Sequence, residues 1–472
     1  MPRAAFYLLT DSHYVSPRNW VEAPPINNRE RGDQIALKAT PEILDAFLEK
    51  ILADDDVDTV VFTGDNVDSG DMNSHYEFRE RLEKLTAAGK KVYVTTATHD
   101  YVNDGTDECV FRSANRYTET GTEPIPYMRK AELFDFYFDY GPKQALSVHR
   151  ESGSYVVQLG EGVRLGMIED NGNGRSHCGL FEDGMTWLRE QIREAKKAGD
   201  EILLTVHHPV LPPWDVFEKV AAHELYGGYE DMKKLMCEEG VRVIFTGHTH
   251  VQSIRKYTDD AGRWFLNIAT IALANAFGKM RLVTVDPEEK LCDVTSVGVD
   301  AIAGTDAESL YARNFPGIVA RLLPLGVSDY DALIRESEGF LSRDMLEKHR
   351  RLIVFGCKKL RAMKLAFIAK HGRVWRKLTD EQKRYAKDTL FETVLLTILR
   401  HIYTGNAPYG PETVENIAVT GLAARLDRLV HLFRIGAVEN LIPPGSSLTE
   451  MAQGFLYNDR TGDDDSIRFS LQ

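Results

Sequence analysis

The sequence predicts an α/β fold around a mostly parallel sheet, followed by a mainly helical C-terminal region. Three observations predict it. Five short, nearly continuous apolar runs punctuate the chain up to Asp260, helical stretches stopped by glycine lie between several of them, and strand signals become scarce from Thr305 onward. The runs are Phe6–Thr10, Val57–Thr63, Val92–Thr96, Ile202–Val206 and Val241–Thr246. Apolar character on both alternating faces is what strands buried on both sides require.

The helices follow in order. Thr40-Pro41-Glu42 reads as a cap residue with proline at the first helical position. Ser74–Ala88 stops at Gly89, Trp187–Ala198 at Gly199 and Asp231–Glu239 at Gly240, where a left-handed residue ends a helix at little cost. Gly153–Ile168 reads as a hairpin turning at Gly160-Glu161-Gly162. Asp100–Arg150 is an insertion rich in aromatic and polar residues with no clear periodicity. Trp264–Leu273, Met280–Val285 and Asp293–Val299 form a strand series expected to close a second sheet. In the helical region, Leu390, Val394, Leu395 and Ile398 have the spacing of a buried stripe. The Gly462–Asp465 stretch is expected to be mobile.

A chain of 472 residues exceeds the usual single domain, and 43% hydrophobic with 27% charged residues is enough to bury a proper core. Five scattered cysteines without a CxxC pair point to free thiols in a reducing compartment. With no signal-peptide pattern at Met1 and no apolar run of membrane-spanning length, a cytoplasmic location is expected. The net charge of −14 makes nucleic acid an unexpected partner. The stretch from Leu341 to Tyr403 nevertheless holds 16 Lys and Arg against 6 Asp and Glu. A solvated helix face is the expected reading of Lys358, Lys359, Arg361, Lys364, Arg373, Arg376 and Lys377, the alternative being a surface for an anionic partner. Oligomeric state is not legible.

Each of the five early runs ends in side chains able to bind a metal: Asp11-Ser12-His13, Asp65-Asn66-Val67-Asp68, Thr98-His99-Asp100, His207-His208 and His248-Thr249-His250. In an open α/β sheet the ligand crevice lies at the carboxyl ends of the strands. Five distant segments, carrying six of the fourteen histidines, are therefore expected to converge on one place. Carboxylates with neutral imidazoles suit borderline divalent metals, and two such ions about 3.5–4 Å apart can share a carboxylate and clamp a phosphoryl group. Gly64 lets the backbone before Asp65 approach its neighbours closely.

These motifs, in this order, resemble the calcineurin-like metallophosphoesterase family, with its DxH, GDxxD, GNH(D/E), lone H and GHxH, over residues 4–300. The resemblance implies a four-layer αββα two-sheet sandwich over residues 1–303, with an insertion around 101–150 and a helical domain or extension over 304–472. It implies two divalent ions, Mn, Fe or Zn. Asp11, His13 and His250 would hold the first, His207 and His248 the second, and Asp65 would bridge them. His99 would protonate the leaving group, Asp68 would orient its imidazole by a hydrogen bond, and a hydroxide between the metals would be the nucleophile. The implied activity is hydrolysis of a phosphodiester or small phosphomonoester. The alternatives are a phosphoprotein substrate, or a degenerate member serving as a metal-binding interaction scaffold. One departure stands out: Ala97-Thr98 replaces the family's Gly-Asn, so a hydroxyl takes the place of an amide oxygen and the second metal site is expected to be weaker.

Other readings stay open. His208 is as well explained by packing as by ligation, since adjacent strand residues face opposite ways. Asp100 either steadies the His99 loop, caps a helix or is solvated. The polar loop holding Asn171, Asn173, Arg175 and His177 is a candidate substrate contact, Arg175 especially, because guanidinium pairs with phosphate.

Overall fold

The computed structural model describes residues 4–102, 113–172, 178–275, 277–313, 317–337, 341–433, 446–457 and 463–472. Asn173, Arg175 and His177, expected beside substrate, lie outside the described residues. The chain divides into two compact units. One comprises Met1–Pro213, His223–Tyr311 and Asp463–Gln472, the other Trp214–Ala222 and Ala312–Gly462.

In the first unit, six strands form a sheet in the order Ser466–Ser470, Leu291–Val297, Met280–Asp286, Ala4–Leu9, Thr59–Thr63, Lys91–Thr95. The last three are mutually parallel. A seven-stranded sheet runs Ser253–Thr258, Trp264–Ala269, Val243–Thr246, Glu201–Val206, Val163–Ile168, Ser154–Gly160, Ser147–His149, with the four from Trp264–Ala269 to Val163–Ile168 parallel. Between the sheets, Leu8, Val61 and Tyr93 meet Val157, Leu165, Leu203 and Phe245. The other face of the first sheet, with Leu9, Val60 and Phe62, packs on Phe47 and Ile51 of helix Thr40–Leu52 and on Phe78 and Leu82 of helix Met72–Ala87. On the far side, Leu204 and Ile244 pack on Leu188 and Ile192 of helix Glu182–Ala198 and on Leu235 and Met236 of helix Tyr229–Glu239. The alternation along each strand thus feeds two cores, giving four layers in the order helix, sheet, sheet, helix.

Two expectations need correction. Met280–Asp286 and Leu291–Val297 do not close the second sheet. Met280–Asp286 pairs antiparallel with Ala4–Leu9 and so extends the first; of the expected series, only Trp264–Ala269 joins the second, beside Val243–Thr246. A strand's alternation specifies which face it buries, not which neighbour it pairs with. Likewise, the end of the chain is not part of the helical region. Ser466–Ser470 pairs with Leu291–Val297, and Asp463–Asp465, the described part of the stretch expected to be mobile, is anchored: Asp464 is buried.

The anchor is Arg281, fully buried. Its Nη1 donates to Ser296 Oγ (2.6 Å), the Asp464 carbonyl (2.9 Å) and the Asp465 carbonyl (3.2 Å), while Nη2 donates to the Ala269 carbonyl at 2.9 Å. Burial pushes its guanidinium down to about 10. Arg281→Met leaves these acceptors without a donor, and a loss of about 3 kcal/mol is expected. Urea denaturation measures it; an unchanged midpoint would show that the acceptors find other partners.

The insertion that periodicity left unassigned contains the two-stranded Asn115–Tyr117/Thr122–Pro124 ribbon, helix Lys130–Phe136 and edge strand Ser147–His149. In the second unit, Leu365, Ile368 and Ala369 of helix Leu365–His371 pack with Leu378, Ala386, Val394 and Ala418. Val394 is buried there and Ile398 packs against the cluster from its edge. Lys358, Lys359, Lys364, Arg373, Arg376 and Lys377 are exposed. Among the described residues no helix is long and apolar enough to cross a membrane, and none of the four described cysteines is in a disulfide.

Candidate metal centre

The strand ends of the first unit are laced together before any side chain contributes. Asp11 N donates to the Gly64 carbonyl (3.1 Å), His13 N to the Asp65 carbonyl (3.0 Å) and Gly247 N to the His207 carbonyl (2.9 Å). Two glycines permit this closeness. A Cβ on Gly64 would lie 2.7 Å from His207 Nδ1, and one on Gly247 would lie 2.0 Å from Thr10 Oγ1. The lacing also forces Asp11, His13, Asp65, His248 and His250 into the left-handed region, with φ of 51°, 40°, 49°, 66° and 56°. Such backbone costs on the order of 1–3 kcal/mol per residue and persists where the surroundings demand it. Here it turns five side chains towards one point.

Three donor groups result. Asp11, His13 and His250 bring one ligand atom each within 4.8 Å of one another; so do His13, Asp65 and His99, and so do Asp65, His207 and His248. His13 Nε2 and His250 Nε2 stand 3.0 Å apart, and His207 Nε2 stands 2.9 Å from Asp65 Oδ2. Imidazole nitrogens bound at about 2.0–2.1 Å to one ion and at right angles would be about 3 Å apart. His13 Nδ1 and His250 Nδ1 are buried with no hydrogen-bond partner among the described residues. The donor set and its spacing fit two divalent cations with Asp65 common to both.

Electrostatics point the same way. Burial pushes the Asp11 carboxyl up, but His207, His13 and His250 outweigh it and hold the group well below the ordinary carboxylate range. For Asp65, burial is likewise overcome, by His207, His99 and His13. Burial pushes His13 down, yet Asp11, Asp65 and Asp68 raise it to about 9, and Asp65 and Asp11 raise His207 to about 10. His99 and His248 fall to about 4, through burial first and then through neighbouring histidines, His13 and His250 for His99 and His208 and His207 for His248. The pocket concentrates negative charge on two carboxylates, which raises the affinity of the neighbouring imidazoles for a positive charge, whether a proton or a metal ion.

The ring of His99 stands edge-on to His13 at 4.5 Å between centroids. Its Nδ1 donates to the main-chain carbonyl of Asp68 at 2.7 Å, and its amide donates to Asp65 Oδ1 at 2.9 Å. The expected Asp68 contact is therefore made by the backbone, whereas the Asp68 carboxylate takes Arg29 Nη2 at 2.7 Å. Asp100 steadies the His99 loop: its carboxylate accepts from the Val67 and Ala97 amides at 2.9 and 2.8 Å. Thr98 is buried in the same loop. His208 belongs to none of these donor groups, although its ring lies 4.1 Å from that of His248 between centroids; its Nδ1 is 3.0 Å from Asp170 Oδ2. Asn171 is buried against Glu169.

Sequence reasoning missed Arg29, Asp170 and Glu224, whose Oε2 lies 2.8 Å from His248 Nε2. Asp170 had a signal, since it follows strand Val163–Ile168 just as the other acids follow theirs. Arg29, in helix Pro24–Gly32, and Glu224, in the short helix Ala222–Glu224, follow no strand and had none.

Two facing sheets with an Asp/His cluster at the carboxyl ends of their parallel strands define the metallophosphoesterase class of α/β proteins. More closely, the chain belongs to the calcineurin-like phosphoesterase family, whose model matches residues 5–252. It is 24% identical over 196 residues to a probable glycerophosphodiester phosphodiesterase GpdQ from Arcobacter nitrofigilis, a stretch covering 41% of this chain and 56% of that relative's length. Among solved structures, a dimetal phosphatase from Danio rerio is similar with 12% identity and a TM-score of 0.45, over 62% of this chain and 96% of that one. A purple acid phosphatase from yellow lupin (Lupinus luteus) seeds is similar with 11% identity and a TM-score of 0.40, over 65% and 53%.

Proposed function

We propose that this protein is a metal-dependent hydrolase of phosphate esters, acting on a phosphodiester or a small phosphomonoester. One observation carries the reading: Asp65 belongs to two adjoining donor groups, and His99 stands beside both carboxylate and imidazole donors. Asp11, His13 and His250 would hold one ion, His207 and His248 with Thr98 the other, and Asp65 both; Mn, Fe or Zn suit such donors. When bound, the ions supply Lewis acidity towards phosphoryl oxygens and acidify water.

The chain's own residues do the rest. The Asp68 carbonyl fixes the proton on His99 Nδ1, leaving Nε2 as the atom that passes a proton to the leaving oxygen. An anionic phosphate beside the ring favours its protonated form, countering the burial that holds it low. Glu224 steadies His248 from behind through its 2.8 Å contact. The diester side of the reading is supported by the name of the Arcobacter relative.

Purified protein with Mn²⁺ is expected to hydrolyse bis-p-nitrophenyl phosphate, p-nitrophenyl phosphate or both, to lose this on chelation and to regain it on adding metal. No turnover of either, in protein shown to carry metal, would sink the reading. Thr98→Asn is expected to tighten the second ion by about tenfold, because an amide oxygen reaches further than a hydroxyl. A metal titration followed by calorimetry checks it, and an unchanged second affinity would remove Thr98 from the ligand set.

A further inference from the structure

The insertion closes a second space beside the metal centre. A cavity of about 310 Å³ is walled by Leu133, Phe134 and Tyr137 from the insertion and by Thr96, Glu169 and Asn171 from two strand ends. Those ends belong to Lys91–Thr95 and Val163–Ile168. Each is the parallel neighbour of a strand leading to the cluster: Thr59–Thr63, before Asp65, and Glu201–Val206, before His207. Neighbouring strands lie about 4.7–4.9 Å apart. The Thr96 and Glu169 walls therefore sit one strand over from Asp65 and His207 at the same carboxyl edge, and two lining residues, Thr96 and Tyr101, flank the loop that carries His99.

We propose that this cavity is the subsite for the alcohol part of the phosphate ester, and that it takes an uncharged six-membered ring bearing hydroxyls. The inference rests on the phosphoesterase reading and names its substrate class. Three features of the lining argue for such an occupant. First, the side-chain amide of Asn171 is buried; one end meets Glu169, and Oδ1 has no hydrogen-bond partner among the described residues. That end is inaccessible as the wall stands, so a ligand hydroxyl, which both donates and accepts, would reach it by drawing the amide into the cavity that Asn171 lines. Second, the tyrosine hydroxyls in the wall are already engaged, Tyr155 with the Val94 carbonyl at 2.8 Å and Tyr137 with His75 at 2.7 Å, so both present ring carbon. Such walls suit the C–H faces of a saturated ring, while an acyclic chain would leave them open. Third, the nearby cations are occupied: Lys130 donates to the Gly172 carbonyl, and Arg150 pairs with Asp135 at 2.8 Å. Burial pushes the Glu169 carboxyl up to about 8, so it adds little charge at neutral pH. The lining asks for hydroxyls, not for a second phosphate.

The test is calorimetric titration of the metal-loaded protein with methyl α-D-glucopyranoside and myo-inositol, with cyclohexanol and adenosine for comparison. At least one of the two polyols is expected to bind, and to inhibit bis-p-nitrophenyl phosphate hydrolysis competitively. Asn171→Leu and Ala131→Trp are each expected to weaken it tenfold or more. Ala131 is an exposed residue lining the cavity, so its replacement fills the cavity without touching the core should the Asn171 variant fail to fold. Cyclohexanol binding as well as the polyols, adenosine binding in their place, inhibition that is not competitive, or polyol binding untouched in the folded variants would each overturn the proposal. Hydrolysis intact with no polyol binding would remove the cavity assignment alone. Failure to hydrolyse any ester would remove the phosphoesterase reading, and the subsite with it.

Discussion

Asp65→Asn is expected to lower ester hydrolysis by at least about 10³-fold, because two proposed cation positions would lose a shared anionic ligand, where losing even a hydrogen-bond partner behind a ligand costs about 10–100-fold. The substitution is a clean one. Asn tolerates the left-handed backbone that Asp65 occupies at φ 49°, and it keeps an oxygen that can accept from the His99 amide. What disappears is the charge that both donor groups draw on. Bound metal, measured by elemental analysis after desalting, should fall from two ions per chain to one or none, with circular dichroism unchanged. Full metal content together with wild-type rates would remove Asp65 from the centre.

His99→Gln should have the second largest effect, and its signature is selectivity rather than size. A general acid matters in proportion to how poorly the leaving group departs. Esters of alkyl alcohols are expected to lose about 10²–10⁴-fold in kcat, and esters of p-nitrophenol much less. The amide of His99 meets Asp65 and its Nδ1 meets the Asp68 carbonyl, so Nε2 is the ring atom that serves either as acid or as ligand; the acid role predicts that metal content holds. An equal loss for both leaving groups would assign His99 to binding instead of proton transfer.

The legible part of the fold was the part governed by local pattern. The five apolar runs lie within one or two residues of strands, and Gly199 and Gly240 take φ of 82° and 63° where the helices end. The donor residues were legible for a related reason: a residue directly after a buried parallel strand has its position fixed by that strand, so type and place are read together. Glu224 and Arg29 were not legible, because they reach the centre from helices whose path depends on what they pack against. The Asp68 side chain shows the same limit. Its backbone position was foreseeable; whether His99 meets its carboxylate or its carbonyl depends on Arg29, thirty-nine residues away.

The sequence by itself determined the alternation of strands and helices, the place of each Asp and His at a strand end, and the odd Thr98, since these follow from side-chain period and chain order. Tertiary structure alone decided that Met280–Asp286 and the terminal Ser466–Ser470 complete the first sheet, that Arg281 anchors the returning chain, and that the insertion walls a cavity beside the centre. Pairing partners and cavities arise from long-range packing, in which a hydrogen-bonding edge accepts any strand of suitable pattern, and only the competition among whole arrangements selects one.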